Sequence, residues 1–393
     1  MKKLAIICTH PIQYYVPLFQ TLAKIFELHV FYTWGEASVE KYDPGFGKII
    51  NWDIPLLEDY SFTFEKNTSS DPGSHHFRGI KNPELINHIK KYKPDFILIF
   101  GWAYHSHLQA LLYFRGKIPI GFRGDSTLLN EQTGFKSVIK TIFLKWVYGH
   151  VDLAFYVGEE NKNYFIKFGL KEEQLLFAPH AIDNNRFETP RSREVIQLKK
   201  ELNIKEGELL FLFAGKLEPK KNPLMLLEAF KQLNALNAHL LFVGNGKLEE
   251  KLKANFFPLN TSTPFSVIRR VHYMDFQNQR RMPVVYQACD VFCLPSQGPG
   301  ETWGLAINEA MACGKAVIVS DKVGCGKDLV KSGENGFIFK YDDVDELVKA
   351  LNYFLLYPEK IYDFGKKSQE IIKNYTFGHI IASITGSIQN KDE

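Results

Sequence analysis

The chain has 393 residues, which at roughly 100–200 residues per domain suits two domains or three small ones. Hydrophobic residues make up 45% and charged residues 23%, which excludes a disordered or collagen-like chain and supplies sizeable cores. The formal net charge of +4, from 48 basic and 44 acidic residues without a basic tail, leaves no electrostatic footprint for nucleic acid. Short apolar runs that read as strands occur at 4–8, 28–32, 96–100, 118–122, 153–157 and 175–178, with helix-period stretches at 17–26, 83–91 and 135–149 between them. The run 4–8 follows Lys2-Lys3 but stops at Thr9-His10-Pro11, too short for an export segment. Residues 96–114 carry no formal charge over near-membrane length, yet Gly101, His105, Ser106, His107 and Gln109 split them into a buried strand, a loop and a helix. The stretch 38–78, rich in Gly, Pro, Asp and aromatics, fits neither period and reads as a long loop region with short strands.

The alternation stops near 183–207 and resumes with strands at 209–213, 240–243, 267–271, 291–294, 316–319 and 336–339. Strand–helix alternation implies parallel sheets covered by helices on both faces, so two series imply two doubly wound α/β domains. The boundaries expected are 1–187, 188–357 and a helical tail, 358–393. Five cysteines (Cys8, Cys289, Cys293, Cys313, Cys325) sit in apolar or Gly-rich settings without zinc spacing, which reads as free thiols in a reducing compartment.

Three loops that each follow a strand could carry chemistry. Gly298-Pro299-Gly300-Glu301-Thr302-Trp303-Gly304 leads into a helix that ends at Gly314. Such a loop presents backbone amides and a positive dipole end to an anion, with Gly304 and Leu305 as the donors. Glu301 and Glu309 bracket the helix start, roughly 12 Å apart at most by helical rise, too far for the carboxylate pair of a retaining glycosidase. The second loop runs from Gly215-Lys216-Leu217 to Lys220-Lys221-Asn222, where lysines could neutralise a diphosphate; the third is Gly244-Asn245-Gly246, a turn open to a planar base. Helix caps, solvated lysines and ordinary turns are the bland readings of these same residues. In the first series, Arg123 and Asp125 are read as lying directly after a strand, with an internal ion pair as the alternative, and His10 and Gln13 lie in the loop after the first strand.

Together these segments resemble family 4 of the glycosyltransferases, the retaining enzymes of GT-B fold. The family's Glu, seven residues, Glu pattern stands as Glu301 to Glu309, and its basic phosphate motif as Gly215-Lys216-Leu217 with Lys221-Asn222. The likeness continues through Ser320-Asp321 with Gly324, Asn335-Gly336-Phe337 and the junction Pro179-His180-Ala181-Ile182-Asp183. The chain departs from the family pattern at Lys216 in place of Arg, at Asn222 in place of Gly, in the loop after the first strand, and at Arg123-Gly124-Asp125-Ser126 in place of a His-Asp pair.

The resemblance implies two Rossmann-like domains facing across a cleft, the second holding a sugar nucleotide and the first an acceptor, with the C-terminal helices crossing back to the first. It implies a retaining glycosyl transfer in which Glu301, Lys216, Lys221, Arg123 and Asp125 are catalytic. Glu309, Gly215, Gly244, Gly304 and Leu305 then bind the donor, and His10 and Gln13 face the acceptor. No bound cofactor and no metal are expected, since no Asp-x-Asp pattern is present and the lysines carry the charge. The expected partners are a nucleotide-diphosphate sugar and a glycan or lipid-linked acceptor in surface polysaccharide or glycoconjugate synthesis. The expected location is the cytoplasm, with peripheral contact at the inner membrane face left open. Two alternatives stand beside this reading: a GT-B sugar-nucleotide epimerase, and a non-catalytic sugar-nucleotide-binding subunit.

Overall fold

In the computed structural model of the chain, residues 1–40, 42–129, 131, 134–233, 235–255 and 270–389 are described. They form two compact units. The first comprises Met1–Lys41, Ile50–His180 and Phe377–Glu393; the second comprises Tyr42–Ile49 and Ala181–Thr376.

The first half of the chain contributes strands β1 (Lys3–Cys8), β2 (Glu27–Tyr32), β3 (Tyr42–Asp43), β4 (Lys48–Ile49), β5 (Ser61–Phe64), β6 (Phe96–Phe100), β7 (Ile120–Arg123), β8 (Leu153–Tyr156) and β9 (Leu175–Phe177). Seven of them form a parallel sheet in the order β5-β2-β1-β6-β7-β8-β9. The second half contributes β10 (Leu209–Ala214), β11 (Ala238–Val243), β12 (Val271–Met274), β13 (Val291–Leu294), β14 (Ala316–Ser320) and β15 (Gly336–Phe339). These form a second parallel sheet, β12-β11-β10-β13-β14-β15.

Every residue of β6, β10 and β11 is buried, as expected of strands covered on both faces. Residues 96–114 divide into β6, a short loop and the helix His105–Phe114. Among the described residues, no helix is long and apolar enough to cross a membrane. Of the strand expected at 267–271, residues 267–269 lie outside the described residues; the strand observed is β12. Arg123 is not beyond its strand. It is the last residue of β7, paired with Phe100 of β6, because the backbone pairing runs one residue past the apolar run. The helix Phe377–Gln389 groups with the first unit, where Ser383 Oγ donates to the Phe177 carbonyl and Lys2 Nζ to that of Ile388 at 2.9 Å.

The two sheets place their ligand edges by topology. Strand order reverses between β1 and β6 in the first and between β10 and β13 in the second. In open parallel sheets the crevice for ligands lies beyond the carboxyl ends of the strands at such a reversal. In the second unit those ends carry Gly215-Lys216 and the Ser296–Glu301 loop.

A buried histidine braces the first unit. His107 is fully buried in the helix after β6, its Nδ1 2.8 Å from the Gly101 carbonyl and its Nε2 2.8 Å from Thr33 Oγ1. A carbonyl can only accept, so Nδ1 carries the proton and Nε2 accepts from the Thr33 hydroxyl. Burial pushes the imidazole pKa down to about 4. The unfolded chain takes up this proton near pH 6.5 and the folded one near 4, so stability is lost as pH falls through that window, on the order of 3 kcal/mol. The thermal unfolding midpoint should therefore drop between pH 6.5 and 4, and His107→Gln should flatten the drop. An equal drop in the variant would assign it elsewhere.

Candidate active site

The second unit brings Lys221 and Glu301 together at its strand reversal. Lys221 Nζ lies 2.7 Å from Glu301 Oε2, with 14% and 9% of the two side chains exposed. Ser296 Oγ donates to the same oxygen at 3.1 Å. The Lys221 side chain runs over Gly215, where a Cβ would sit 3.4 Å from Lys221 Cδ. The loop that carries Glu301 is itself held by the next strand's loop: Gly324 N donates to the Glu301 carbonyl at 3.0 Å and Cys325 N to that of Trp303 at 2.9 Å. A Cβ on Gly324 would lie 1.8 Å from the Thr302 carbonyl oxygen, so only glycine permits this approach. That gives the Ser320-Asp321 with Gly324 motif a physical task.

Gly304 caps the helix Leu305–Ala312 at φ +100°, a conformation L side chains rarely adopt, and Leu305 is the first helical residue. Their amides belong to the four that an α-helix leaves without an internal partner. Glu309 is buried one turn on, where the Tyr286 hydroxyl donates to its Oε2 at 2.7 Å. Gly244 stands at φ +132° beyond β11, and a Cβ there would lie 2.1 Å from the Gly215 carbonyl oxygen. Asn245 joins this loop to the one after β12: its Oδ1 accepts from Phe276 N at 2.9 Å and its Nδ2 donates to Asp275 Oδ1 at 3.0 Å.

Lys216 has a partner that sequence reasoning missed. Its Nζ lies 2.9 Å from Oδ1 and 3.0 Å from Oδ2 of Asp43, at the start of the antiparallel β3–β4 hairpin. Burial opposes ionisation of Asp43, but the Lys216 ammonium and the Gly45 and Phe46 amides outweigh it and hold the carboxyl below its ordinary range. Asp-Pro-Gly signals a turn, and Asp43 Oδ1 does accept from Gly45 N at 2.8 Å. Nothing local to the sequence points from that turn to a lysine 173 residues away.

In the first unit, Arg123 is 3% exposed and donates to the carbonyls of Ala178 at 2.6 Å and Pro179 at 3.0 Å, while its buried Nε has no partner. Asp125 Oδ2 lies 3.8 Å from His180 Nε2, and the Tyr15 ring stacks parallel to His180 at 6.5 Å. Burial pushes the His180 pKa down and the Tyr15 pKa up, so both are neutral at pH 7. His10 Nδ1 lies 2.8 Å from Thr9 Oγ1, and its ring meets Trp34 edge-on. Gln13 is half-buried just before the helix Val16–Leu22. Thus Arg123, Asp125 and His180 gather at one place, joined by Tyr15, which sequence reasoning passed over. Among the described residues, Asp71, His75 and His76 form a group with metal-ligand spacing, two of the three exposed, in a loop of this unit.

Comparison with known proteins adds the following. The model of the family described as Glycosyl transferases group 1 matches residues 194–371. UDP-Gal:alpha-D-GlcNAc-diphosphoundecaprenol alpha-1,3-galactosyltransferase of Escherichia coli is 32% identical over 173 residues, 44% of this chain and 43% of that protein. The alignment thus spans less than half of that relative. N,N'-diacetylbacillosaminyl-diphospho-undecaprenol alpha-1,3-N-acetylgalactosaminyltransferase of Campylobacter jejuni is 27% identical over 296 residues, covering 70% of this chain and 72% of that protein. Among solved structures, HepE of Anabaena in complex with UDP superposes with a TM-score of 0.73 at 18% identity over 99% of this chain and 100% of the other. At that identity the likeness speaks for the fold: two Rossmann-like units of the GT-B class.

Proposed function

We propose, from the match of residues 194–371 to the model of the family described as Glycosyl transferases group 1, that this protein is a retaining glycosyltransferase. In this reading it moves a sugar from a nucleotide-diphosphate donor to a hydroxyl of a lipid-diphosphate-linked or other glycan acceptor. The observation that carries the proposal is the meeting of Lys221 with Glu301 at the strand reversal of the second unit, inside the matched segment. Relatives named for UDP-galactose and diphosphoundecaprenol-linked acceptors support the choice of substrates to try first.

In the proposed reaction the bond from the anomeric carbon to the terminal phosphate oxygen breaks, and its electron pair stays on the departing diphosphate. The acceptor hydroxyl attacks from the face the diphosphate leaves, and its proton passes to a phosphate oxygen. Lys216, Lys221 and the amides of Gly304 and Leu305 are assigned to the developing negative charge. Glu301 is assigned to the donor sugar's hydroxyls, Glu309 to the ribose, and Gly215 and Gly244 to close backbone approach. Arg123 and Asp125 are assigned to the reacting end of the first unit, and His10 and Gln13 to the acceptor. The donor is assigned to residues 188–357, the acceptor to 1–187. No divalent metal is needed in this scheme, because side-chain cations and a helix terminus take its electrostatic role.

The test is to incubate UDP-galactose, UDP-glucose and their N-acetyl counterparts with and without an undecaprenyl-diphosphate-linked saccharide. The expected result is acceptor-dependent release of UDP and an α-linked product, unchanged by chelator. Epimer formation without acceptor would favour the epimerase reading, and a β-linked product would overturn retention.

A further inference from the structure

The β3–β4 hairpin has an unexpected address. Residues 42–49 group with the second unit, although the residues on both sides of them in sequence group with the first. Their contacts fall on two of the three loops assigned to the donor, those after β10 and β11, and on the loop after β12. Asp43 holds Lys216 after β10. Gly45 packs against the Lys216 stem so closely that a Cβ would lie 2.5 Å from Lys216 Cδ, and its carbonyl oxygen lies 2.9 Å from where a Cβ on Gly246 would stand, after β11. Lys48 Nζ donates to Asn245 Oδ1 at 2.7 Å, and Phe46 meets the Phe276 ring, after β12, at 4.8 Å between centroids. A hairpin of this size has no core of its own. Its place is set by these contacts.

We propose that this hairpin is a latch on the donor site, in which Asp43 competes with the donor's diphosphate for the Lys216 ammonium and retakes it as the nucleoside diphosphate leaves. The inference rests on the glycosyltransferase reading above. Both carboxylate oxygens of Asp43 lie within 3.0 Å of Nζ, so they take donor directions that phosphate oxygens would use. A carboxylate and a diphosphate at one ammonium also repel each other. The pair is one-third exposed on the lysine side and about one-quarter on the aspartate side, so its strength is modest and it can exchange. An aspartate that only stiffened the hairpin would have no such bias against phosphate.

The experiment compares the full-length wild type with Asp43→Asn, Lys216→Ala and the double variant. An Asn side-chain oxygen can still accept from Gly45 and Phe46, so the turn is retained. Affinity is measured by calorimetry for UDP and for uridine, and UDP dissociation by stopped flow. Asp43→Asn is expected to tighten UDP about fivefold, mostly through slower dissociation, and to leave uridine unchanged. In the Lys216→Ala background the same change should have a much smaller effect, since only the direct repulsion between carboxylate and diphosphate remains. Unchanged or weaker UDP binding by a folded Asp43→Asn protein, or an equal gain for uridine, would overturn the latch while leaving the donor site standing. Should UDP, GDP and ADP all fail to bind wild type, the donor reading falls, and the latch with it.

Discussion

Lys221→Ala is expected to lower kcat by about 10²–10³-fold, the range seen when one group that stabilises developing charge is removed. The ammonium sits 2.7 Å from Glu301 in a setting where both side chains are largely buried. Such a setting strengthens the pull on a departing diphosphate, since little water screens it. The same burial makes the variant less stable, because Glu301 loses its counterion and keeps the Ser296 hydroxyl. Breaking a buried pair on one side costs about 3–5 kcal/mol, less here because a fraction of each side chain still meets solvent. Activity and stability must therefore be separated. The double variant Lys221→Ala with Glu301→Gln removes the stranded charge, so its melting temperature should recover most of the loss. Its turnover should not recover. If turnover returns with stability, the pair is a structural brace and Lys221 leaves the proposed mechanism.

The parts of this fold that were legible in sequence are those where burial leaves one reading. Runs such as 209–213 and 153–157 are apolar without alternation because helices cover both faces of their strands, and β10 and β8 lie there with ends shifted by at most one residue. β5 lies in the stretch 38–78, which reads as a loop region with short strands; its bounds are not legible because it is an edge strand whose residues are half-buried or exposed, so no apolar run marks it. Arg123 reads as lying beyond its strand because a charged residue ends an apolar run, whereas the backbone pairing with Phe100 continues through it. The candidate site divides in the same way. Lys221, Glu301 and Gly304 were marked by strand, glycine-rich loop and helix in close succession. Asp43 and Tyr286 were not, because their roles come from contacts made across 173 and 23 residues of chain. Local patterning reports which loops face the ligand edge. It does not report which distant side chain will fold over them.

Gly244→Ala is expected to weaken donor binding and lower kcat, and the cause can be separated from ordinary glycine strain. At φ +132° any L side chain is disfavoured, which by itself costs about 1–3 kcal/mol. Here a second effect adds to it. The new Cβ would stand 2.1 Å from the Gly215 carbonyl oxygen, a backbone atom that cannot rotate away. Relief requires the loop after β10 to move off the loop after β11, and Gly215 N is itself bonded to the Val243 carbonyl at 2.9 Å. That displacement carries Lys216 with it, and moves the backbone beneath Lys221. A shift near 1 Å at groups that must meet a diphosphate is enough to cost about 10²-fold in rate. Gly207 supplies the control. It lies in the same unit at φ +82°, with nothing within 4 Å of its missing Cβ. Gly207→Ala should lower the melting temperature by a comparable strain and leave UDP affinity and kcat near wild type. Gly244→Ala should lower both well beyond what its loss of stability explains. Equal behaviour of the two variants would mean that backbone strain alone matters at position 244, and that the close approach of the two loops has no part in holding the donor.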